Sequence, residues 1–421
     1  MNDKIKVAVI GLGYVGLPLA IEVGKKYSTR GVESNRKRIS ELKECIDSTE
    51  ELSLNQIKKS KKIRFTYNIE EIKLCNFYII AVPTPINKKK KPNLKMLRDA
   101  TYLVANILKK KDIVVYEATV YPGLTEEYCV PILEKKSKLK INKNFSVGYS
   151  PERINVGDKK HTLTTIKKIV SASNSESLNI INNFYKSIIK AGTYKAPSIK
   201  VAEAAKVIEN SQRDINIALV NELSMIFSKL GIDTNEVIDA AKTKWNFLPF
   251  YPGIVGGHCI GVDPYYLSYK AEKIGYKSKI ILAGRKLNDE MGNYIAKEVL
   301  KLIRSRTELN KGLKIAILGL SFKENCGDIR NTKVIDIKEY FLRKNIKCDV
   351  YDPVVNKKEV FNEYGIKIKP LSKIYSSKYN AVIIAVKHNE FKRLVLEKFG
   401  RDCIIYDVKS MYKKNKTTAR L

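Results

Sequence analysis

A chain of 421 residues, 44% hydrophobic and 29% charged, has the composition of a globular protein of roughly two to four domains and not of a disordered or fibrous one. No stretch approaches the roughly 18 consecutive apolar residues of a membrane span, and MNDKIKVAVIGLG lacks the layout of a secretory leader, so no membrane insertion and a cytoplasmic location are expected. The net charge of +34 suggests a nucleic-acid partner, but the lysines are scattered over 58–62, 88–91, 109–111, 135–140 and 413–416 without interleaved aromatics. They read as a solvated surface that also attracts anionic substrates, and no nucleic acid is expected.

In chain order, Lys4–Gly11 is an apolar strand that ends at a glycine. A helical pattern follows, and then a second strand closing on Gly31-Val32-Glu33. Further buried strands are predicted at Phe77–Val82, Ile113–Tyr116 and Phe145–Tyr149. Ser198–Leu230 carries apolar residues at helical spacing without internal proline or glycine, so it reads as one helix near 50 Å long at ~1.5 Å per residue. Ile280–Arg304 is another helix. Leu313–Gly319 then repeats the opening motif, with its own acid at the end of Asp349-Val350-Tyr351-Asp352, followed by strands at Ala381–Val386 and Ile404–Tyr406. Strands alternating with helices indicate parallel sheets. The expected fold class is therefore α/β, with two Rossmann-like domains joined by a central helical segment with one long helix. The expected domains are 1–197, 198–306 and 307–421.

Gly11-Leu12-Gly13-Tyr14-Val15-Gly16 lies between strand and helix. There Gly11 permits the tight turn, Gly13 a close pyrophosphate approach, and Gly16 close helix packing. Glu33 follows about 20 residues on, placed to bond ribose hydroxyls and repel a 2′-phosphate, which favours NAD; Arg36, Lys37 and Arg38 are the counter-signal for NADP. The seven cysteines (45, 75, 129, 259, 326, 348, 403) are odd in number and contain no CxxC, and His161, His258 and His388 lie far apart, so neither disulfides nor a metal site is expected. Most of the cysteines read as small core residues. Cys259 is the exception. Residues 252–267 set it among Gly253, Gly256, Gly257 and Gly261, with Asp263 one helical turn on.

The string GGHCIGVDPYYL, together with GLGYVGLP at 11–18, resembles the UDP-sugar 6-dehydrogenases of the UDP-glucose/GDP-mannose dehydrogenase family, and within them the branch acting on UDP-N-acetylhexosamines. Matching segments run along nearly the whole chain: Val82–Pro85, Glu117–Gly123, Ser150–Ile154, Glu203–Asn210 and Gly319–Asn325. The resemblance implies an NAD domain, a helical dimerisation segment and a UDP-binding domain. It implies NAD-dependent, four-electron oxidation of a C6 hydroxyl to a carboxylate, in surface polysaccharide or glycan precursor synthesis. Cys259 would trap the aldehyde as a thiohemiacetal and then carry a thioester. Lys206 and Asn210, one turn apart on a helix, would donate to the oxyanion. Glu152 would be the base for the hydrolytic water, and Asp263, with a water held by Thr119, would accept the hydroxyl proton. Gly11, Gly13, Tyr14, Val15, Gly16, Glu33, Arg38, Pro83, Thr84, Thr119 and Arg330 would contact the cofactor. Glu152, Arg153, Lys206, Asn210, Phe250, Tyr251, Gly256, Gly257, His258, Phe322 and Lys323 would contact the substrate.

The chain departs from the family pattern in three places. Val156 stands where UDP-glucose dehydrogenases carry a second glutamate, Glu33 where aspartate is usual, and Gly327 where this branch often has proline. Trp245 and Phe247 in KTKWNFLPFYPG (242–253) read either as core anchors of a preceding helix or as a wall for the 2-acetamido group. Along 198–230, Val201, Ala205, Ile208, Ile215, Leu219, Leu223 and Ile226 provide one inward stripe and a flanking stripe for a two-fold partner. The competing substrates are UDP-N-acetylmannosamine and UDP-glucose. The competing chemistry is a two-electron hydroxyacid or sugar-phosphate dehydrogenase, which needs neither the cysteine nor a second Rossmann-like lobe.

Overall fold

Apolar runs that end at a glycine become the central strands of both halves of the protein. The computed structural model describes residues 5–49, 51–154, 161–306 and 312–421. It divides into two units, Met1–Glu209 with Tyr265–Tyr276, and Asn210–Pro264 with Lys277–Leu421. The expected departure at Val156 falls outside the described residues.

In the first unit eight strands form one sheet: β1 (Lys6–Ile10), β2 (Ser28–Val32), β3 (Ile63–Thr66), β4 (Phe77–Ile80), β5 (Ile113–Tyr116), β6 (Ser146–Tyr149), β7 (Lys168–Ala172) and β8 (Thr193–Lys195). Their order is β3-β2-β1-β4-β5-β6-β7-β8. Pairing is parallel except where β7 runs antiparallel to β6. Every residue of β4 and β5 is buried, as helices on both faces of a parallel sheet require. The strand expected to reach Val82 ends at Ile80, because the chain turns toward Pro83, which has no N–H for the ladder. β3 (IRFT) and β7 (KIVSA) interleave polar with apolar residues and β8 is three residues long, so none gave an apolar run to read.

The second unit repeats the plan with β9 (Lys314–Leu318), β10 (Lys347–Tyr351), β11 (Ile368–Lys369), β12 (Ala381–Ile384), β13 (Ile404–Asp407) and β14 (Ala419–Arg420), ordered β11-β10-β9-β12-β13-β14 and parallel throughout. Helix Ile280–Arg306 packs Met291, Ile295, Val299 and Ile303 into this unit's core. The echo between the units extends to hydrogen bonds. Gly11 N–H donates to Val32 O at 2.9 Å and Gly319 N–H to Tyr351 O at 2.7 Å. Leu12 N–H donates to Glu33 Oε2 at 3.1 Å and Leu320 N–H to Asp352 Oδ2 at 2.6 Å. In the second unit the acid is sealed in, since His388 Nε2 lies 3.2 Å from Asp352 Oδ2 and both side chains are fully buried. The acid that can serve a ribose in the first unit is thus closed off in the second.

The long helix spans Ile199–Leu230. Ser198 caps it, its hydroxyl accepting the Val201 N–H at 3.2 Å. Its buried positions include Glu203, Lys206, Ser211, Asp214, Asn221 and Ser224, whereas Val201, Ile208, Leu219 and Ile226 are 45–54% exposed. Of the apolar positions read from the periodicity, Val201, Ile208, Leu219 and Ile226 form the exposed flanking stripe, and the inward face mixes polar groups with Ile199, Ala202, Val207, Ala218 and Val220. Trp245 is 92% exposed and Phe247 38%, so the core-anchor reading of this pair is corrected. The preceding helix, Thr234–Ala241, is anchored by Thr234 and Ile238 instead.

Candidate active site

In the first unit the glycine loop closes tightly on the sheet. Gly11 has φ +92°, and a Cβ on it would lie 2.9 Å from the Ala81 carbonyl oxygen. A Cβ at Gly13, by contrast, would meet nothing within 4 Å. That open backbone, ahead of a helix beginning at Gly16 and beside the Glu33 carboxylate, fits a dinucleotide pyrophosphate and ribose. Arg38, the expected cofactor contact, is turned inward, donating to the Leu12 carbonyl oxygen at 3.3 Å and pairing with Asp47 at 2.6 Å. Its charge is neutralised there, which weakens the signal for a 2′-phosphate. Thr84 Oγ1 donates to the Thr119 carbonyl oxygen at 2.7 Å, and Tyr266 Oη donates to the Thr84 carbonyl oxygen at 2.9 Å, so the loops after β4 and β5 are tied together. Pro83 is exposed beside them, and Tyr14 and Val15 are half-buried in the glycine loop.

Glu152 follows β6 and is buried. Its Oε1 accepts the N–H groups of Arg153 and Ile154, and its Oε2 accepts from Lys168 Nζ at 2.8 Å. The Arg153 guanidinium reaches Glu209 at 2.7 Å. On the long helix, Lys206 is buried, and one turn earlier Glu203 receives the N–H groups of Gly123 and Thr125 at 2.5 and 2.9 Å.

In the second unit Cys259 lies in a turn whose carbonyl oxygen accepts the Asp263 N–H at 2.9 Å, one turn ahead of helix Asp263–Lys273. All seven cysteines are among the described residues, and only Cys259 is exposed. Burial pushes the Cys75 thiol up to about 11 and those of Cys129, Cys348 and Cys403 up to about 12. Asn210 Nδ2 donates to Asp263 Oδ2 at 2.6 Å, which fixes that carboxylate on the long helix. Gly257, at φ +83°, brings its backbone against Phe322, where a Cβ would sit 2.8 Å from the ring; a side chain there would displace the aromatic. Asn221 accepts the Gly253 N–H at 2.7 Å and donates to its carbonyl oxygen at 3.0 Å, and Asn288 and Asp214 continue the network. The cysteine loop is thereby held by buried side chains of two helices. Phe250 is half-buried and Tyr251 is exposed.

His258 is held down to about 4 by burial and by the Arg330 charge, so its ring is neutral at physiological pH. Its Nε2 is buried with no hydrogen-bond partner among the described residues. Arg330, expected at the cofactor, forms a forked ion pair with Asp328 within the second unit. Sequence reasoning missed Lys409. It lines a cavity with Gly256, Phe322, Lys323, Glu324 and Thr332, and a Cβ on Gly253 would lie 2.3 Å from its Nζ. Burial holds its ammonium below the usual lysine range. The available signal was its place just past the C-terminal end of a parallel strand, where such sheets bind ligands.

Three family models match in order: the NAD binding domain of the UDP-glucose/GDP-mannose dehydrogenase family over residues 5–189, its central domain over 200–290 and its UDP binding domain over 316–414. The chain is 54% identical to a UDP-N-acetyl-D-glucosamine 6-dehydrogenase of Salmonella typhi, covering 100% of this chain and 99% of the relative. It is 51% identical to the enzyme of that name from Pseudomonas aeruginosa, covering all of both chains. Among solved structures, a UDP-D-ManNAc dehydrogenase from Pyrococcus horikoshii matches with a TM-score of 0.90 at 28% identity, over 99% of this chain and 98% of that one. With its glycine fingerprint, its cysteine turn and full-length matches to all three domains, the chain belongs to the UDP-glucose/GDP-mannose dehydrogenase family and uses NAD.

Proposed function

We propose that this protein oxidises the C6 hydroxyl of UDP-N-acetylglucosamine to the carboxylate, with Cys259 as the covalent catalyst, in supply of a surface polysaccharide or glycan. What carries the reading is an exposed cysteine in a glycine-rich turn, followed one turn on by the Asn210-bound Asp263, in a chain about half identical over its full length to two enzymes of that specificity. Bound NAD would take up hydride in each of the two oxidations. The chain's own residues do the rest. Asp263, with a water at Thr119, accepts the hydroxyl proton. The Cys259 sulfur adds to the aldehyde carbon and prevents its escape. Lys206 and the second N–H of Asn210 hold the oxyanion, and Glu152 takes a proton from the water that cleaves the thioester. The NAD part is assigned to 1–197, the helical part to 198–306 and the UDP-binding part, with Phe322, Lys323 and Lys409, to 307–421. Among the described residues no single helix is long and apolar enough to cross a membrane.

The substrate test is a comparison of kcat/KM for four UDP-sugars with NAD. UDP-N-acetylglucosamine is expected to exceed UDP-glucose by at least about tenfold, because a polar partner of the acetamido group would be left unpaired by glucose, at roughly 1–3 kcal/mol. UDP-N-acetylgalactosamine should come near the first, and UDP-N-acetylmannosamine third. A preference for UDP-glucose would remove the branch assignment and leave the dehydrogenase. Two NADH per sugar are expected; one would point to the two-electron chemistry.

We further propose a homodimer through 198–230. Val201, Ile208, Leu219 and Ile226 form an exposed stripe along that helix, and such apolar stripes on a long helix are covered by a partner when the protein is stable in water. Sedimentation at micromolar concentration should give about twice the chain mass of 47.9 kDa. Ile208→Glu with Leu219→Glu should return it to the monomer, and a monomeric wild type would refute the interface.

A further inference from the structure

The first unit buries a charge cluster of which the scheme above uses only Glu152. Lys168, on β7 and 2% exposed, donates to Glu117 Oε2 at 2.7 Å and to Glu152 Oε2 at 2.8 Å. Glu117 follows β5, and its Oε1 accepts the Tyr185 hydroxyl from helix Ser175–Ile188. Glu152 Oε1 accepts two backbone N–H groups. The neighbouring Ser150 hydroxyl donates to the Ile169 carbonyl oxygen, and the Arg153 guanidinium faces Glu209, so neither adds charge to the cluster. Two carboxylates thus share one ammonium in a place shielded from water. Buried charge is tolerated only when paired, and with both carboxylates ionised this group is one proton short of balance. Burial pushes the Glu117 carboxyl up, and the Glu152 charge adds to this while Lys168 opposes it. Although burial works against it, the two carboxylates hold Lys168 charged.

We propose that Glu117 and Lys168 are positioning residues for Glu152, holding the cluster one proton short of neutrality so that Glu152 takes up a proton while Lys168 stays paired with Glu117. The inference rests on the reading of Glu152 as the hydrolytic base. In that step a water oxygen bonds to the thioester carbon and one water proton passes to Glu152. The C–S bond breaks and sulfur leaves with the electron pair as the Cys259 thiolate. The second water proton departs with the carboxylic acid and is lost to solvent. Reaching a neutral, fully paired cluster favours the proton transfer; without the excess charge, the same transfer would leave a buried net positive charge.

The experiment follows acyl-enzyme by acid quench and intact mass, across pH, in full-length protein with NAD and UDP-N-acetylglucosamine. Glu117→Gln makes the cluster neutral before the step. Its acid limb for hydrolysis should move down by about one pH unit or more, the plateau rate should fall on the order of tenfold, and acyl-enzyme should accumulate with KM for the sugar unchanged. Lys168→Met leaves two carboxylates without a cation, so its acid limb should move up. Packing damage does not produce opposite shifts. Shifts of the same sign, or a wild-type profile in Glu117→Gln, overturn the proposal. If Lys168→Met does not fold, the downward shift in Glu117→Gln decides alone. Glu152→Gln separates the two ideas. Unchanged hydrolysis in that variant removes the base assignment and this proposal together. Slowed hydrolysis in Glu152→Gln beside a wild-type profile in Glu117→Gln removes only the proposal.

Discussion

Cys259→Ala is expected to abolish acid formation, by roughly 10³-fold or more, while the protein still binds NAD and the UDP-sugar. The cysteine is exposed and therefore reachable, and its side chain fills no core, so truncation should leave stability within about 0.5 kcal/mol. Loss of the sulfur removes the bond that retains the aldehyde and carries the acyl group, and no neighbouring group in the turn can replace it. His258 cannot, because its neutral, half-buried ring turns a buried Nε2 inward beside Arg330. Cys259→Ser keeps the shape with a poorer nucleophile and a poorer leaving group and is expected to stall at a partly oxidised adduct visible by mass. The same logic predicts where alkylation goes. Thiols raised to about 11 or 12 are protonated and buried at neutral pH, so limited iodoacetamide should label Cys259 first. Near-normal yield of two NADH per sugar from the alanine variant would end the covalent mechanism.

Glu203→Gln is expected to change how stability depends on pH. Glu203 is fully buried on the long helix and receives two backbone N–H groups from the Gly123–Thr125 turn, yet burial still raises its carboxyl to about 7. The folded pKa lies above the unfolded value, so the folded state binds the proton more tightly. The stability this contributes is fully present below the unfolded value of about 4.3 and is lost as pH rises through 7. With ~1.4 kcal/mol per pKa unit, the group should cost the wild type about 3 kcal/mol between pH 4 and pH 8. The glutamine variant resembles the protonated form and lacks that loss. Asp112, raised to about 6 by burial, adds a similar slope to both proteins, so the variant-minus-wild-type difference isolates Glu203. Urea unfolding at pH 4.5 and pH 8 measures it. A difference that stays constant with pH would show that Glu203 is ionised in the folded state throughout.

The sequence by itself determined the parts in which local chemistry and tertiary demand agree. A parallel strand buried on both faces must be apolar, so β1, β4, β5, β9, β12 and β13 were readable within a residue or two. Glycines that must approach a phosphate or turn at positive φ have no substitute, so the fingerprint and the cysteine turn stood out. The expected acids at the ends of the second strands, Glu33 and Asp352, lie where the echo placed them. Only the tertiary structure decided which of those acids is open, because closure depends on His388, distant in sequence from Asp352. It also decided which residues of the long helix face inward. Periodicity does not mark polar residues for the core, but here the inward face carries Glu203, Asp214 and Asn221 beside Ala202, Val207 and Val220, and these polar groups are tolerated because other elements supply partners to them. Trp245 came out on the surface because exposure is set by what packs above a residue and not by its size. Lys168 and Glu117 lie 51 positions apart and share a bond only because β7 returns beside β6. Pairings of that kind are properties of sheet order, and sheet order is not written in any window of the chain.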